Sequence, residues 1–328
     1  MKQLRWGVLG TGNIVGKGGM ALHRAANGEW LGVAGRTLEN SKIAAEKYGV
    51  PRAYNGYREL IDDPEIDAVY IALLNHVHKE WAIEAVRAGK HVLLEKPFAL
   101  NAADAADIIA EAKRHNARVE EAFVWRYMEG HLAAREAIRS GQIGDPVFYH
   151  GNFSFQAAPS STRLNEAWGG GTLYDIGCYL VSWARFQFQE EPEFVDSRMI
   201  RAEGSAVDLR FSGTLLFPGG GTAHMTSALD MPYVCGYHIS GTKGEVEVKQ
   251  FSNAQTITLH VTINGETKEY TTDRVAPFCL QAEQFARYVL EGDLTTDSES
   301  SIMAQARTLD ALFESDRKQA RIQLGAGV

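Results

Sequence analysis

The stretch Leu4-Arg5-Trp6-Gly7-Val8-Leu9-Gly10-Thr11-Gly12-Asn13-Ile14 decides the fold. Leu4 to Leu9 reads as a buried strand that runs straight into Gly10-Thr11-Gly12, and the apolar residues beyond take a helical spacing. A glycine pair between strand and helix lets the backbone approach a pyrophosphate, which the first N–H groups of the helix can then hold. Nucleotide binding through Gly10, Thr11, Gly12, Asn13 and Ile14 is therefore expected. A Gly-x-Gly also occurs in ordinary turns, and among 32 glycines it is the strand-to-helix context that gives this one weight. The third position of such a fingerprint is usually Gly or Ala. Here it is Val15, with Gly16 one residue late.

Outward from this turn, short apolar runs alternate with helical periodicity. Strands are expected at Leu4 to Leu9, Trp30 to Gly35, Ala68 to Leu73, His91 to Leu94 and Arg118 to Glu121, with helices between them around Ala21, Ala44, Ala82 and Ile108. Such alternation implies a parallel, doubly wound sheet. After Phe123 the texture changes: Val207, Leu209, Phe211, Leu215 and Phe217 alternate with Asp208, Arg210, Ser212 and Thr214, and the pattern recurs at Ile257, Leu259, Val261 and Ile263. Period two with one apolar face means an antiparallel sheet packed on helices. Two helical stretches close the chain, near Gln281 to Leu290 and Ile302 to Arg317. The expected class is α/β, with a Rossmann doubly wound parallel sheet over residues 1–121 and an α+β domain with a largely antiparallel open sheet over 122–328.

At about 150 residues per domain, 328 residues suit two domains. Hydrophobic residues at 45% and charged residues at 23% are ordinary for a chain with a full core. A net charge of -8 argues against a nucleic-acid or anionic-membrane partner, since either calls for a basic patch. Cys178, Cys235 and Cys279 are too few and scattered for a disulfide framework or thiolate metal site, and His76 with His78 lacks a third ligand, so no metal is expected. The first strand lies close to Met1 and no apolar run approaches the roughly 18 residues a span needs; a cytoplasmic location is expected.

About 20 residues beyond the glycines, NAD sites offer a carboxylate to the ribose 2′-hydroxyl, whereas a 2′-phosphate calls for Arg and small hydroxyl residues. This chain has Gly35-Arg36-Thr37 there, with no carboxylate until Glu39. NADP is expected over NAD, with Arg36 and Thr37 as contacts.

The ordered set of motifs resembles the glucose-fructose oxidoreductase and inositol dehydrogenase family, Gfo/Idh/MocA. The resemblance runs from Gly7-Val8-Leu9-Gly10-Thr11-Gly12-Asn13-Ile14 through Asp67 to Ile71, Asn75-His76-Val77-His78-Lys79-Glu80 and Gly89-Lys90-His91-Val92-Leu93-Leu94-Glu95-Lys96-Pro97. It continues with Glu121-Ala122-Phe123, Arg126, Gly141-Gln142-Ile143-Gly144 and the triple glycine Gly169-Gly170-Gly171 followed by Asp175, Gly177 and Tyr179. Tyr179 stands where most members carry histidine, as in the dihydrodiol and xylose dehydrogenase branch. Leu74 and Glu129 stand where prolines are frequent. The resemblance implies cofactor contacts from Leu73, Asn75, His78, Glu95 and Lys96, and it suggests a cis Lys96–Pro97 bond.

The chemistry follows from the residues. Oxidising a secondary alcohol moves hydride from carbon and a proton from oxygen, so a base must sit within about 3 Å of that oxygen. A phenol needs its pKa brought from about 10 to about 7, roughly 4 kcal/mol, which is what one cation at about 4 Å supplies at an effective dielectric near 20. Tyr179 is the expected base or acid and Lys96 the cation. Asp175, spaced i,i+4 from Tyr179 on a helix starting after the glycines, shares its face and can orient the substrate hydroxyl or Lys96. Leu173, Ile176, Leu180 and Trp183 fall on a core face. Trp125, Arg126, Phe153, Phe155, Arg163 and Trp168 are candidates for stacking on a sugar and binding its hydroxyls.

The expected activity is hydride transfer between NADP and a sugar, polyol or cyclic diol. Two alternatives stay open: a glycoside hydrolase that recycles its nicotinamide, and an inactive NADP-sensing regulator. Thr256, Thr258, His260 and Thr262 form a weakly charged sheet face, and with the family's habit of associating through that sheet a homodimer or homotetramer is expected.

Overall fold

A computed structural model describes residues 3–292 and 299–325. Their internal contacts divide the chain into two units: Met1–Tyr127 with Asp273–Met303, and Met128–Thr272 with Ala304–Val328.

The first unit alternates strand and helix as expected: β1 (Leu4–Leu9), α1 (Val15–Arg24), β2 (Gly28–Gly35), α2 (Leu38–Tyr48), β3 (Arg52–Asn55), α3 (Tyr57–Ile61), β4 (Ala68–Ile71), α4 (His78–Arg87), β5 (His91–Leu94), α5 (Ala102–Arg114) and β6 (Val119–Glu121). All six strands are parallel, in the order β3-β2-β1-β4-β5-β6. This is the doubly wound order, and its direction reverses between β1 and β4, the point at which such sheets bind ligands beyond the strand carboxyl ends. Leu9 and Ile71 are the last paired residues of those two strands, so Gly10 and Ala72 open the crevice.

Helix α1 packs closely although the fingerprint's third residue is Val15. A Cβ on Gly18 would lie 2.5 Å from the Tyr70 ring, and one on Gly19 would lie 2.6 Å from the Trp30 ring. The close approach has therefore moved one turn into the helix, where two large sheet side chains rise to meet it.

The second unit carries α6 (Glu129–Arg139), β7 (Pro146–Gln156), α7 (Cys178–Phe188), β8 (Phe194–Arg201), β9 (Asp208–Leu216), β10 (Thr222–Ala228), β11 (Asp230–Gly241), β12 (Glu245–Ser252), β13 (Thr256–Ile263) and β14 (Glu266–Asp273). With β15 (Ile322–Gln323) they form a nine-stranded sheet in the order β14-β13-β12-β11-β7-β10-β9-β8-β15. It is antiparallel except where β10 runs parallel to β7. Ile257, Leu259 and Val261 are buried as their alternation requires. The expectation for β9 needs correction at its start: Asp208, counted with the polar face, is buried, and Leu209 is only half-buried. Ile200 pairs with Arg210 and Arg201 with Asp208, so Leu209 is an extra residue, a bulge that turns the strand over.

The contact division also differs from the expected 1–121 and 122–328. Helix α8 (Ala276–Glu291) belongs to the first unit, where Phe285 meets Trp6 at 5.3 Å and both join one buried cluster with Leu4, Val8 and Leu22. The reason is amphipathicity: Phe278, Ala282, Phe285 and Ala286 put one apolar stripe on α8, which is covered there. Helix α9 (Glu299–Lys318) ends against β8 in the second unit, the Ser197 N–H donating to the Ser315 hydroxyl at 3.0 Å.

Candidate functional site

In the first unit the glycine turn is open. Thr11, Gly12 and Asn13 are exposed and Ile14 half-buried. Gly10 has φ +118°, and a Cβ there would come within 2.4 Å of the Ala72 carbonyl oxygen; at Gly12 a Cβ would meet nothing within 4 Å. One glycine is thus required by the backbone and the other leaves free space beside the turn into α1, where the Val15 and Gly16 N–H groups donate back to the Gly12 and Asn13 carbonyls at 3.1 and 3.2 Å. These residues fit a dinucleotide pyrophosphate. Leu73 and Asn75, half-buried, follow β4 on the other side of the crevice.

At the end of β2, Arg36 and Thr37 are exposed. Thr37 caps α2, its hydroxyl accepting from the Asn40 N–H at 3.3 Å, while Ser41 donates to the Thr37 carbonyl at 3.0 Å and accepts from the Gly35 N–H at 2.8 Å. Arg36 is thereby carried on a fixed loop. Its charge reaches the half-buried Tyr57, whose phenol burial pushes up and Arg36 pulls back.

Glu95 is buried at the end of β5, and its carboxylate accepts from the Tyr70 hydroxyl. The second oxygen accepts from the Lys96 N–H at 3.3 Å. The Lys96–Pro97 peptide is cis, and the Phe98 N–H donates to Glu121 at 2.9 Å. Lys96 itself is half-buried at this turn. His78, expected to line a ligand pocket, has 0% exposure and presents no surface to a ligand. Its Nδ1 lies 2.9 Å from the Pro97 carbonyl and its Nε2 3.3 Å from that of Leu73. Burial holds its pKa down at about 4, so the ring is neutral and one nitrogen donates. It braces the turn after β4 against the Lys96–Pro97 turn. Trp125 and Arg126 are also buried, the indole at 1% exposure, with the guanidinium 5.5 Å from the Trp125 ring centroid. Trp125 is a core residue of its unit rather than an exposed stacking platform.

In the second unit Asp175 and Tyr179 occupy one continuous helical run. Its first part, Leu173–Gly177, is π-helical, with the Cys178 N–H reaching back to the Leu173 carbonyl, and α7 follows. A π turn of this kind is a frequent feature of functional sites. Leu173, Ile176, Leu180 and Trp183 are buried as expected, while Asp175 and Tyr179 stay partly exposed. Asp175 pairs with Arg163, Nε to Oδ2 at 2.5 Å, and the Arg163 guanidinium lies 5.6 Å from the Phe155 ring centroid. Phe153 stands edge-on to Tyr179 at 6.0 Å, and Trp183 edge-on at 5.9 Å on the core side. Trp168 is exposed on the turn before Gly169. Arg163, Asp175 and Phe155 are therefore brought together, with Tyr179 one turn along the helix.

Three residues were missed from sequence, two in the first unit and one in the second. Tyr70 lies inside an apolar strand, and only its hydroxyl marks it as a partner for a charge. Lys17, one turn after the glycines, is half-buried; burial and then Arg274 hold its pKa down while Glu95 opposes them. A cation at that spacing was a readable signal. Asp208 was hidden by the bulge at Leu209.

Residues 4–123 match the GFO/IDH/MocA family described as an oxidoreductase family with an NAD-binding Rossmann fold, and residues 131–247 match the C-terminal domain of the same family. A D-xylose 1-dehydrogenase (NADP(+)) of Haloferax volcanii is 30% identical over 98% of this chain and 100% of its own. A trans-1,2-dihydrobenzene-1,2-diol dehydrogenase of Xenopus laevis is 33% identical over 80% of each chain. Among solved structures, an aldose-aldose oxidoreductase from Caulobacter crescentus complexed with glycerol superposes with a TM-score of 0.87 at 26% identity, covering 98% of this chain and 100% of that one. A 3-ketoreductase from Actinomadura kijaniata in complex with NADP and TDP-benzene gives 0.87 at 25% identity, covering 96% and 98%.

Proposed function

The chain belongs to the GFO/IDH/MocA oxidoreductase family, and from that premise we propose that it transfers hydride between NADP and a secondary alcohol or carbonyl of a sugar, polyol or cyclic diol. The observation that carries the substrate class is the partly exposed group of Asp175, Arg163 and Phe155 beside Tyr179. A carboxylate and a guanidinium offer acceptors and donors suited to vicinal hydroxyls, and an aromatic face suits the C–H side of a sugar ring. Relatives named for D-xylose, an aromatic dihydrodiol and aldoses lie within that class.

The nicotinamide, when bound, supplies the hydride acceptor or donor. The chain's own residues do the rest. Gly10, Thr11, Gly12, Asn13 and Ile14 hold the pyrophosphate at the start of α1, and Arg36 with Thr37 meets the ribose 2′-phosphate, with no carboxylate at the strand end to repel it. Leu73 and Asn75 contribute from the other side of the crevice. Tyr179 takes the hydroxyl proton in oxidation and returns it in reduction, and Lys96 is the cation proposed to assist turnover. Asp175, aimed by its ion pair with Arg163, orients the reacting hydroxyl. Glu95, pinned by Tyr70, fixes the turn from which Lys96 projects.

A panel of aldoses, polyols and diols with NADP, followed at the nicotinamide absorbance, tests this reading. Net absorbance change with at least one substrate is the expected result. Cleavage of a glycoside with no net change would favour a nicotinamide-recycling hydrolase, and nucleotide binding without any turnover would favour a sensor.

A further inference from the structure

The buried carboxylate of Asp208 sits where the helix bearing Asp175 and Tyr179 begins. Its Oδ2 accepts from the Leu173 N–H at 2.7 Å. Its Oδ1 fills the space beside Gly171, where φ is +125° and a Cβ would lie 2.0 Å from that oxygen. Gly171 in turn joins both members of the ion pair. Its N–H donates to the Arg163 carbonyl at 2.9 Å, and its carbonyl accepts from the Asp175 N–H at 3.1 Å. Thr172, between the two anchored residues, donates to the Ser227 hydroxyl at 3.0 Å, which fixes the same turn to β10.

We propose that Asp208 is a positioning residue for proton transfer, its ionised carboxylate holding the turn from Gly171 to Leu173 and through it the directions of Asp175, Arg163 and Tyr179. The inference rests on the dehydrogenase reading above. A buried charge is a costly way to cap a helix when an exposed Ser or Asn serves as well. The cost is visible: burial pushes the Asp208 pKa up to about 7, against the Leu173 N–H, its own backbone N–H and Arg201, which all pull it down, while Asp316 adds to the rise. Arg201 comes from β8 and Asp316 from α9, and the two pair with each other at 2.6 Å, so each screens the other's effect on Asp208. A carboxylate so placed changes charge near neutrality. When it is protonated, the bond to Leu173 loses its charge assistance, and the turn that aims Asp175 is held less firmly.

The test pairs kinetics with an observation that needs no substrate. Leucine-specific 15N labelling reports the Leu173 amide, assigned by its loss in Leu173→Met, and the pH profile of kcat/KM is measured from pH 5.5 to 9 on the parent and on Asp208→Asn. In the parent, the Leu173 amide should move with a midpoint near about 7, and kcat/KM should fall with the same midpoint as pH is lowered. In Asp208→Asn both transitions should vanish, with kcat/KM at pH 8 lower by roughly five- to tenfold, the loss of one charge-assisted bond. An unchanged acid limb in Asp208→Asn overturns the proposal. A Leu173 amide indifferent to pH in an active parent does so too, and that measurement stands even if the variant fails to fold. No nicotinamide turnover by the parent at any pH would instead remove the dehydrogenase reading, and this proposal with it.

Discussion

Replacing Tyr179 with phenylalanine removes one oxygen and leaves a ring that still packs edge-on against Phe153 and Trp183. Turnover should fall by about a hundred- to ten-thousandfold, the range for losing a general acid or base, with nucleotide affinity nearly unchanged. Lys96→Met should also cripple turnover, and if the two act as one unit the double variant is little worse than either single one. Single-turnover hydride transfer in the three variants decides this; Tyr179→Phe within about threefold of the parent places proton transfer elsewhere. His78 is not a candidate for that role, because its ring is buried, neutral and engaged with two carbonyls. Arg36→Ala belongs to the same scale. A guanidinium-to-phosphate contact contributes roughly 1.5 to 3 kcal/mol, so the substitution should erase a preference for NADP over NAD of about ten- to a hundredfold, read by titrating both nucleotides. Equal affinity for the two in the parent would end the NADP assignment.

Helix α1 offers a test at the level of the element, because its glycines differ in what surrounds them. Alanine in a helix is worth about 1 kcal/mol over glycine. At Gly18 a Cβ would press to 2.5 Å on the ring of Tyr70, which is buried and tied through its hydroxyl to Glu95. Gly18→Ala should therefore lower the Tm despite the better propensity, by an overpacking cost of about 1–3 kcal/mol. Gly16→Ala, which meets only the end of the Tyr48 side chain at 3.3 Å, should be neutral or stabilising in the same thermal melt. A lower Tm for Gly16→Ala than for Gly18→Ala contradicts this account of the packing. The contrast also marks what was legible in the sequence. The β1 and β5 strands are found at the residues expected, since each is a largely apolar run, interrupted only by Arg5 or opened by His91, and ended by a turn or a charge. β3 was missed because Arg52 to Asn55 is a half-exposed edge with no apolar pattern. The spacing of Asp175 and Tyr179 correctly put them on one helical run, yet the π turn beneath Asp175 and the bulge at Leu209 depend on pairing with distant strands. Trp125 shows the limit on site residues: an aromatic that suits a sugar face suits a core equally well, and burial decides between them.

For the whole molecule, the second unit's sheet should pair subunits. β13 presents Thr258 and Thr262, each joined by hydroxyls at 2.8 Å to Thr271 and Thr267 on β14, and Phe148, Ile200 and Phe251 are exposed on other strands of the same sheet. The charges on the β12–β14 part of this face are already paired, Lys249 with Glu247 at 2.7 Å and His260 with Glu269 at 3.4 Å, so covering it strands none of these charges. Light scattering at micromolar concentration should give a dimer or tetramer, and a monomer would refute the assembly. The path of the chain sets a different constraint. Because α8 closes the core of the first unit, with Phe285 against Trp6, residues 1–127 alone should melt without a cooperative transition, and the same segment joined to residues 273–291 by a flexible linker should regain one in circular dichroism. A cooperative melt of residues 1–127 alone would show α8 to be dispensable. If α8 is needed, birth order on the ribosome matters. The nucleotide-binding half emerges first but waits for roughly 150 further residues before its last helix is made, a delay of about 8–30 s at ordinary translation speeds of 5–20 residues per second. During that interval Trp6 and its neighbours face the nascent-chain environment with one wall missing, so this enzyme's yield in a cell should respond to chaperone supply more than a dinucleotide domain with a contiguous chain would.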